Sequence, residues 1–235
     1  MGTRLGGLAE EMPKGFLRLG QLPIIEESIA RLKRAGIRRI VIVTGYQQQY
    51  YKQLVDSYAG LLQLVHNPRY AESGSMYSLY LARKLVQEDF LLLESDLIYQ
   101  QSALDAVLTS NHENTLLLSG HTGSGDEVYV ECRGALLCNM SKDRGMLGER
   151  IAGELVGITR ISKALYDSMC QFSEIRFAES LHLDYETDCL VGVAQSNPIH
   201  GMVVEDLLWS EIDDKEHLSR ALTKVYPKIC EVDAD

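Results

Sequence analysis

The sequence lacks the paired cysteines that hold small scaffolds or metal sites together. Its five cysteines are an odd number, none forms a C-x-x-C pair, and the six histidines are scattered singly without metal-ligand spacing. A disulfide framework and a structural zinc site both depend on such pairing, so neither is predicted. We expect the cysteines to be small buried side chains.

Long apolar runs and an excess of positive charge are also missing. The apolar run Phe90–Leu93 is far shorter than the roughly 20 residues of a membrane-spanning helix, and the N-terminus lacks the apolar stretch of a signal peptide. With 23 Lys and Arg against 33 Asp and Glu, the net charge of −10 repels nucleic-acid phosphates and anionic lipid. We therefore predict a cytoplasmic protein with no nucleic-acid partner and no membrane insertion.

Helix and strand patterns alternate in the first half of the chain. Pro23 begins a helix that ends at Gly36, and a β-branched run then indicates a strand at 38–44 that is buried on both faces. The alternation goes on with strands at 62–66, 90–93 and 115–119 and with helices at about 46–58, 75–87 and 101–109. Such alternation is typical of β-α-β units.

The pattern changes after residue 120. A hairpin is predicted at 128–132 and 135–140, turned at Arg133-Gly134, and a further strand at 154–161. These strands indicate an antiparallel insertion. The remaining elements are helices at about 162–172, 185–194 and 215–225 and a strand at 200–204.

Acidic side chains follow two of the extended segments. Glu94-Ser95-Asp96 comes directly after the strand at 90–93, and Glu211-Ile212-Asp213-Asp214 follows a short extended piece near Trp209. Ligands of open α/β sheets bind beyond the carboxyl ends of the strands, where two carboxylates suit a hard divalent cation that also binds phosphate oxygens. Helix N-caps or solvated turn residues are the alternative interpretation.

The N-terminal segment resembles a known signature. Gly2-Thr3-Arg4-Leu5, followed by Met12-Pro13-Lys14, resembles the second half of the glycine-rich signature of nucleotidyltransferases. In such a loop, glycines let backbone N–H groups approach a triphosphate, while Arg and Lys neutralise its charge. The resemblance continues over nearly the whole chain through Gly20-Gln21-Leu22-Pro23, Ala35-Gly36-Ile37, Val43-Thr44-Gly45-Tyr46, Val65-His66-Asn67-Pro68 and Ser78-Leu79.

Within this superfamily the chain is similar to the phosphocholine branch and, more closely, to 2-aminoethylphosphonate cytidylyltransferases. The closer match is carried by Gly74-Ser75-Met76 and by the segments FLLLESDLIY, SGDEVY, GELVGIT and LDYE. The resemblance implies an α/β, Rossmann-like nucleotidyltransferase fold with a mixed, mostly parallel central sheet and a small antiparallel insertion. It also implies Mg²⁺-dependent transfer of CMP from CTP to 2-aminoethylphosphonate, with release of pyrophosphate, for the phosphonate tailoring of lipids or glycans.

The resemblance assigns roles on the nucleotide side of the site. Asp96 and Asp213 are expected to hold Mg²⁺, and Arg4 and Lys14 to act catalytically by stabilising the departing β- and γ-phosphates. The expected CTP-binding residues are Gly2, Thr3, Arg4, Lys14 and Ser78. Capping of a helix is the alternative role for Ser78.

The chemistry of the amine distinguishes the closest acceptors. A quaternary ammonium has no N–H donor and is usually enclosed by aromatic faces, whereas a primary ammonium has three donors and favours carboxylates. The phosphocholine branch tends to place a tryptophan where this chain has Gly125-Asp126-Glu127-Val128-Tyr129, and Trp209 is its one tryptophan. We therefore expect a primary amine, with Lys142 facing the phosphonate, and acceptor-binding residues Glu127, Lys142, Asp184, Glu186 and Asp188. Each of these is also readily explained as a solvated surface side chain.

The family that the chain resembles begins with a strand and the first half of the glycine loop, which have no counterpart before Met1. Either the protein lacks this half of the site or the chain is recorded from an internal start, and we expect the internal start. We expect 1–235 to be a single nucleotidyltransferase domain recorded from an internal start. The expected partners are CTP and a small amino-phosphonate or phosphomonoester, with a homodimer as a candidate assembly. The alternatives are a phosphocholine or phosphoethanolamine cytidylyltransferase, a sugar-1-phosphate nucleotidyltransferase and a non-catalytic nucleotide-binding module.

Overall fold

The structure is a computed structural model, and it describes residues 12–234. Strands and helices alternate up to residue 119, as the sequence pattern predicts, except that one short strand follows another directly. The strands of this part are β1 (Ile40–Thr44), β2 (Leu62–His66), β3 (Phe90–Leu93), β4 (Leu97–Tyr99) and β5 (Thr115–Ser119). The helices are α1 (Ile24–Arg34), α2 (Gln49–Ser57), α3 (Ser75–Leu81) and α4 (Ser102–Leu108), with 3₁₀ turns at Lys14–Phe16 and Ala82–Lys84.

The second part begins with the predicted hairpin, in which Gly134 takes the left-handed φ of +62° that the turn requires. Its strands are β6 (Tyr129–Arg133), β7 (Leu136–Ser141), β8 (Ile151–Ile161), β9 (His200–Val204) and β10 (Trp209–Glu211). The helices are α5 (Lys163–Phe177), α6 (Lys215–Arg220) and α7 (Tyr226–Val232). Shorter helical pieces lie at Arg144–Met146 (3₁₀), Tyr185–Leu190 (π), Val191–Val193 (α) and Ala221–Val225 (π).

Two helical segments continue past their predicted ends. Helix α5 continues past residue 172, and there the buried Ser173 hydroxyl donates a hydrogen bond of 2.6 Å to the Met169 carbonyl, one turn earlier in the same helix. The last helix does not stop at residue 225, because Pro227 stands in the first turn of α7, where its missing N–H leaves no helical hydrogen bond unmade. The predicted strand at 38–44 is also less buried than expected, since only Thr44 of β1 is fully buried.

The larger sheet is mixed, as expected. It has six strands in the order β3-β8-β5-β9-β7-β6, and β1 pairs with β2 and β4 with β10 in two further ladders. Strands β3, β5 and β9 run in the same direction, but β8 runs against β3, β5 and β6. Among the described residues, the hydrogen-bonded neighbours are therefore mostly antiparallel, which corrects the expectation of a mostly parallel sheet. Only β1–β2 and β5–β9 are parallel pairs there.

The core lies on both faces of β5. Leu116 and Leu118 belong to the hydrophobic cluster of α5, and Leu117 belongs to the cluster that contains Leu104 of α4. All three leucines of β5 are completely buried, as a central strand covered on both faces requires. Within the part of the chain that the structure describes, every helix is too short or too polar to cross a bilayer.

Candidate active site

Two acidic segments meet at the ends of β3 and β10. The Asp96 carbonyl accepts a hydrogen bond of 3.1 Å from the Ile212 backbone N–H, and the antiparallel pairing of β4 with β10 sets Glu211 opposite Leu97. Residues 94–96 and 211–213 therefore lie side by side, although they are far apart in the sequence. Their side chains form the acidic floor of a site.

Lys14 connects the two carboxylates that the sequence analysis singled out. Its Nζ donates to Asp96 Oδ2 at 3.0 Å and also to Asp213 Oδ1. Burial alone lowers the pKa of Lys14, but the charges of Asp96 and Asp213 outweigh it, so the net shift of this pKa is upward. Lys14 is therefore a firmly charged ammonium between two carboxylates.

Three carboxylates stand in a group that could hold a cation. One oxygen each from Glu94, Asp96 and Glu211 lies within 4.8 Å of the other two. Hard oxygen ligands of this kind suit Mg²⁺. Burial and the nearby charge of Asp96 raise the pKa of Glu94 to about 8 and also raise the pKa of Glu211. This group shares Asp96 with the expected metal pair, but Glu94 and Glu211 were not assigned as ligands.

Glu94 is fixed in place by two further contacts. Its Oε1 accepts a hydrogen bond of 2.6 Å from the Tyr185 hydroxyl, and its backbone N–H donates to the Gly157 carbonyl at 3.1 Å. Burial, and then the charge of Glu94, raise the pKa of Tyr185. Tyr185 begins the π-helical segment, a rare geometry that is frequent at functional sites.

A small cavity that opens to solvent lies beside the acidic floor. Glu94 and Glu211 line it together with Glu154, which is 2% exposed. Thr122 donates its backbone N–H (2.9 Å) and its hydroxyl (3.0 Å) to the Glu154 carboxylate, and burial raises the pKa of Glu154. Trp209 also lines the cavity, and its buried indole N–H has no hydrogen-bond partner among the described residues.

The predicted acceptor residues are divided between this cavity and its surroundings. Lys142 donates to Asp126, a cavity residue, at 3.0 Å. Burial lowers the pKa of Lys142, but the hydrogen bond to Asp126 and the nearby acidic charges together outweigh burial, so the net shift of this pKa is upward. Glu127 is not part of the cavity lining. It accepts from the Gly125 N–H at 3.2 Å, and although burial acts in the opposite direction, backbone hydrogen bonds lower its pKa.

The acids of the LDYE segment serve the start of helix α3. Asp184 and Glu186 both accept from the Ser75 hydroxyl, at 3.3 and 3.4 Å, and the Asp184 N–H donates to Asp188 at 2.9 Å. Glu186 is partly buried, whereas Asp184 and Asp188 are exposed. The structure therefore gives Asp184 and Asp188 a local structural role and does not bring them to the cavity.

The predicted nucleotide residues are only partly described. Gly2, Thr3 and Arg4 lie outside the described residues. Ser78 lies within α3, not at its cap, and its hydroxyl accepts a hydrogen bond of 3.0 Å from the Asn67 side chain. Asn67 also donates to Ser73 at 3.0 Å, so Ser78 belongs to the anchoring of the loop that enters α3.

Sequence reasoning missed several residues of this site. Glu154 is a single acidic residue inside a strand, and one sequence alone does not distinguish such a buried glutamate from a solvent-exposed one. The segment Asp214-Lys215-Glu216-His217 does carry a signal, because it has the spacing of a helix capping box with His in the last position. That spacing could have drawn attention to His217, which lines the cavity.

Comparison with known proteins adds the following findings. A family model described as "MobA-like NTP transferase domain" matches residues 1–149. The choline-phosphate cytidylyltransferase of Streptococcus pneumoniae is 35% identical over 92 residues, and the 2-aminoethylphosphonate cytidylyltransferase of Lancefieldella rimae is 31% identical over 99 residues. These alignments cover 39% and 42% of this chain, and 39% and 40% of the length of the two relatives.

A solved structure has the same fold. The inositol-1-phosphate CTP transferase of T. maritima superposes with a TM-score of 0.81 and 20% identity, over 98% of this chain and 92% of its own. This likeness agrees with the α/β nucleotidyltransferase fold and its mixed sheet.

Proposed function

Because this chain belongs to the MobA-like NTP transferase domain family, we propose that it transfers CMP from CTP to 2-aminoethylphosphonate. A phosphonate oxygen forms a bond to the α-phosphorus of CTP, and the bond from that phosphorus to the bridging oxygen of the β-phosphate breaks. Pyrophosphate leaves with the electron pair. The phosphonate is already an anion, so the protein need supply neither a nucleophile nor a base.

The observation that carries this proposal is that the site has two regions of different charge. At one end a partly buried ammonium, Lys14, lies between Asp96 and Asp213. At the other end the cavity is lined by Glu154, a buried acid that is not part of the group of Glu94, Asp96 and Glu211. An acceptor fits this arrangement when its anionic phosphonate lies toward the charged end, beside CTP, and its primary ammonium donates hydrogen bonds to the acid of the cavity.

The residues of the charged end have separate tasks. Lys14 stabilises the negative charge that grows on the departing pyrophosphate. Asp96, with Glu94, Glu211 and Asp213 beside it, would hold Mg²⁺, which supplies charge neutralisation at the phosphate oxygens when bound. Lys142 neutralises the phosphonate of the acceptor from the edge of the cavity.

Phosphocholine is a second candidate acceptor, because an aromatic residue does line the cavity. The indole of Trp209 could face a quaternary ammonium, as aromatic side chains do for choline. The 35% identity to the choline-phosphate cytidylyltransferase favours the same candidate. The acidic lining of the cavity favours the primary amine instead. Because these observations favour different acceptors, a kinetic comparison is needed to distinguish them.

The test compares acceptors and nucleotides in a pyrophosphate-release assay. Loss of charge-assisted hydrogen bonds to the amine costs about 1.5–3 kcal/mol, so kcat/KM should fall by roughly 10- to 100-fold from 2-aminoethylphosphonate to phosphocholine. Phosphoethanolamine keeps the amine and should rank between them. CTP should be strongly preferred to ATP and GTP. A ranking with phosphocholine first would reject the amine assignment, and equal use of ATP and CTP would reject the cytidylyltransferase.

A further inference from the structure

We propose that His217 is a positioning residue that links the acceptor side of the site to the segment carrying Asp213. His217 is a member of α6, is 5% exposed and lines the cavity. Its Nδ1 accepts the Asp213 backbone N–H at 3.4 Å, and its Nε2 lies 3.2 Å from the Ser124 carbonyl oxygen. The inference rests on the proposed function, because the two linked segments are those of the proposed reaction.

The partners of the imidazole determine its tautomer. A backbone N–H can only donate and a carbonyl can only accept, so Nδ1 must be unprotonated and Nε2 must carry the proton. Both ring nitrogens are then used, which satisfies a polar side chain that is almost completely buried. A ring that merely filled space would need neither contact.

The start of α6 holds the ring in this position. Asp214 caps the helix by accepting from the backbone N–H groups of Glu216 and His217, each at 2.9 Å. His217 therefore stands at the third helical position, from which a side chain reaches back over the helix start. In the usual capping box this side chain binds the cap residue, whereas here it binds Asp213, one residue earlier.

The segment on the other side of the ring is the acceptor loop, residues 120–128. Gly123 and Gly125 adopt left-handed φ values of +66° and +92° on either side of Ser124. The loop is also attached through Thr122 to Glu154 and through Asp126 to Lys142. His217 adds a contact between this loop and the backbone at Asp213. The distance between the acceptor loop and the segment that carries Asp213 is thereby fixed.

Two isosteric variants separate the two contacts of the ring. His217→Asn keeps an acceptor near the position of Nδ1 but does not reach Ser124, whereas His217→Gln keeps a donor near Nε2 but offers no acceptor to Asp213. Each variant loses one hydrogen bond, and a loss of this size changes a binding or rate constant by about tenfold. We expect His217→Asn to raise KM for 2-aminoethylphosphonate about tenfold with kcat and KM for CTP nearly unchanged, and His217→Gln to lower kcat with that KM nearly unchanged.

His182→Asn is the matched control, because His182 is exposed and is not among the residues that line the cavity. It should leave all constants unchanged. If His217 only supports folding, both His217 variants lower the thermal midpoint and change kcat and KM alike, and the proposal is overturned.

An NMR readout keeps this proposal separate from the proposed function. Long-range ¹H–¹⁵N spectra of the wild-type chain should show a proton on Nε2 of His217 and an acceptor at Nδ1. The amide signals of Gly123 and Gly125 should shift in His217→Asn and much less in His217→Gln. An Nδ1-protonated ring, or equal shifts in both variants, overturns the link even if the enzyme is active. Absence of pyrophosphate release by the wild type instead rejects the proposed function and leaves the NMR result to decide the link.

Discussion

Lys14 is a cation between two carboxylates, and its role in the reaction should differ from its role in substrate binding. Charge on the pyrophosphate grows along the reaction, so Lys14→Ala should lower kcat by about 10² and raise KM for CTP much less. Steady-state kinetics with CTP and 2-aminoethylphosphonate measure both constants. Lys84→Ala, at an exposed lysine of a 3₁₀ turn, is the control. A variant that loses affinity for CTP but keeps kcat would show that Lys14 binds the nucleotide equally well in the ground state and in the transition state.

Asp96 and Asp213 should both be required for turnover with Mg²⁺. Replacement by Asn keeps the size of each side chain but removes its charge, so kcat should fall by at least about 10² if the ion supplies several kcal/mol to the transition state. Pyrophosphate release at several Mg²⁺ concentrations measures this, with Asp105→Asn on the exposed side of α4 as the control. Near-normal turnover of either variant would exclude that carboxylate from the site.

Glu94 should make stability depend on pH in the absence of a bound cation. Burial raises its pKa from 4.5 to about 8, so between these values the folded chain binds the proton more tightly than the unfolded chain. The free energy of unfolding must then fall as pH rises from about 4.5 to 8. Glu94→Gln removes this contribution, so in EDTA the variant should gain stability over the wild type at pH 8 and much less at pH 5.

Urea unfolding at the two pH values measures the difference, and Glu88→Gln, at an exposed glutamate, is the control. A stability difference that is the same at both pH values would mean that Glu94 is ionised in the folded protein.

At the scale of elements, a bulge in β8 shapes the acidic floor. Leu116 of β5 pairs with Thr159, but Leu118 pairs with Leu155, so β8 has extra residues at this point. Gly157 lies in the bulge with φ of +80°, and a Cβ built there would be 2.8 Å from Glu94 Oε2. The glycine is therefore required both by its backbone conformation and by the position of Glu94.

Gly157→Ala should reduce both stability and activity. Left-handed backbone costs a residue with a Cβ about 1–2 kcal/mol, and the new methyl group also displaces the Glu94 carboxylate. Gly36→Ala is the matched control, since Gly36 has φ of +84° and nothing within 4 Å of a built Cβ. It should lose a similar amount of stability, measured by urea unfolding, and keep its activity. Full activity of Gly157→Ala would show that the site tolerates movement of Glu94.

The elements also show which parts of the fold can be predicted from one sequence. Strands β3 and β5 are continuous apolar runs between polar segments, and the prediction placed both at their observed bounds. Strand β4 was missed because its three residues follow an acidic segment directly and gain their order from pairing with β10. Tertiary packing places β8 between β3 and β5, and no local sequence pattern predicts that position.

The site was predictable only where a motif or a resemblance reached it. Lys14 lies 82 residues from Asp96 and 199 from Asp213, so no periodicity connects the three side chains. The resemblance to nucleotidyltransferases brought them together as an expectation, and the structure gives their mutual contacts. Glu154 was not found in this way, because its importance comes from Thr122 and a cavity that only the folded chain forms.

At the scale of the whole molecule, the C-terminal segment is fastened to the first helix by a buried ion pair. The Arg31 guanidinium of α1 donates to Asp233 at 3.0 and 3.2 Å and to Glu27 at 3.3 Å, and Asp233 also accepts the Gln101 N–H at 2.8 Å. The Arg31 and Asp233 side chains are only 9% and 10% exposed. This pair connects the first helix and the C-terminal end of the described residues to the start of α4.

Arg31→Met should therefore be among the most destabilising single changes away from the cavity. It keeps an apolar stem but leaves two partly buried carboxylates without their cation, and breaking a buried pair in this way costs about 3–5 kcal/mol. Lys163→Met is the matched control, because it breaks an exposed pair with Asp167 on α5 that should contribute less than about 1 kcal/mol. Urea unfolding compares the two variants at pH 7. A loss in Arg31→Met as small as that of the control would mean that α7 is held by its apolar contacts, with Ile229 fully buried among them, and that the ion pair only sets its register.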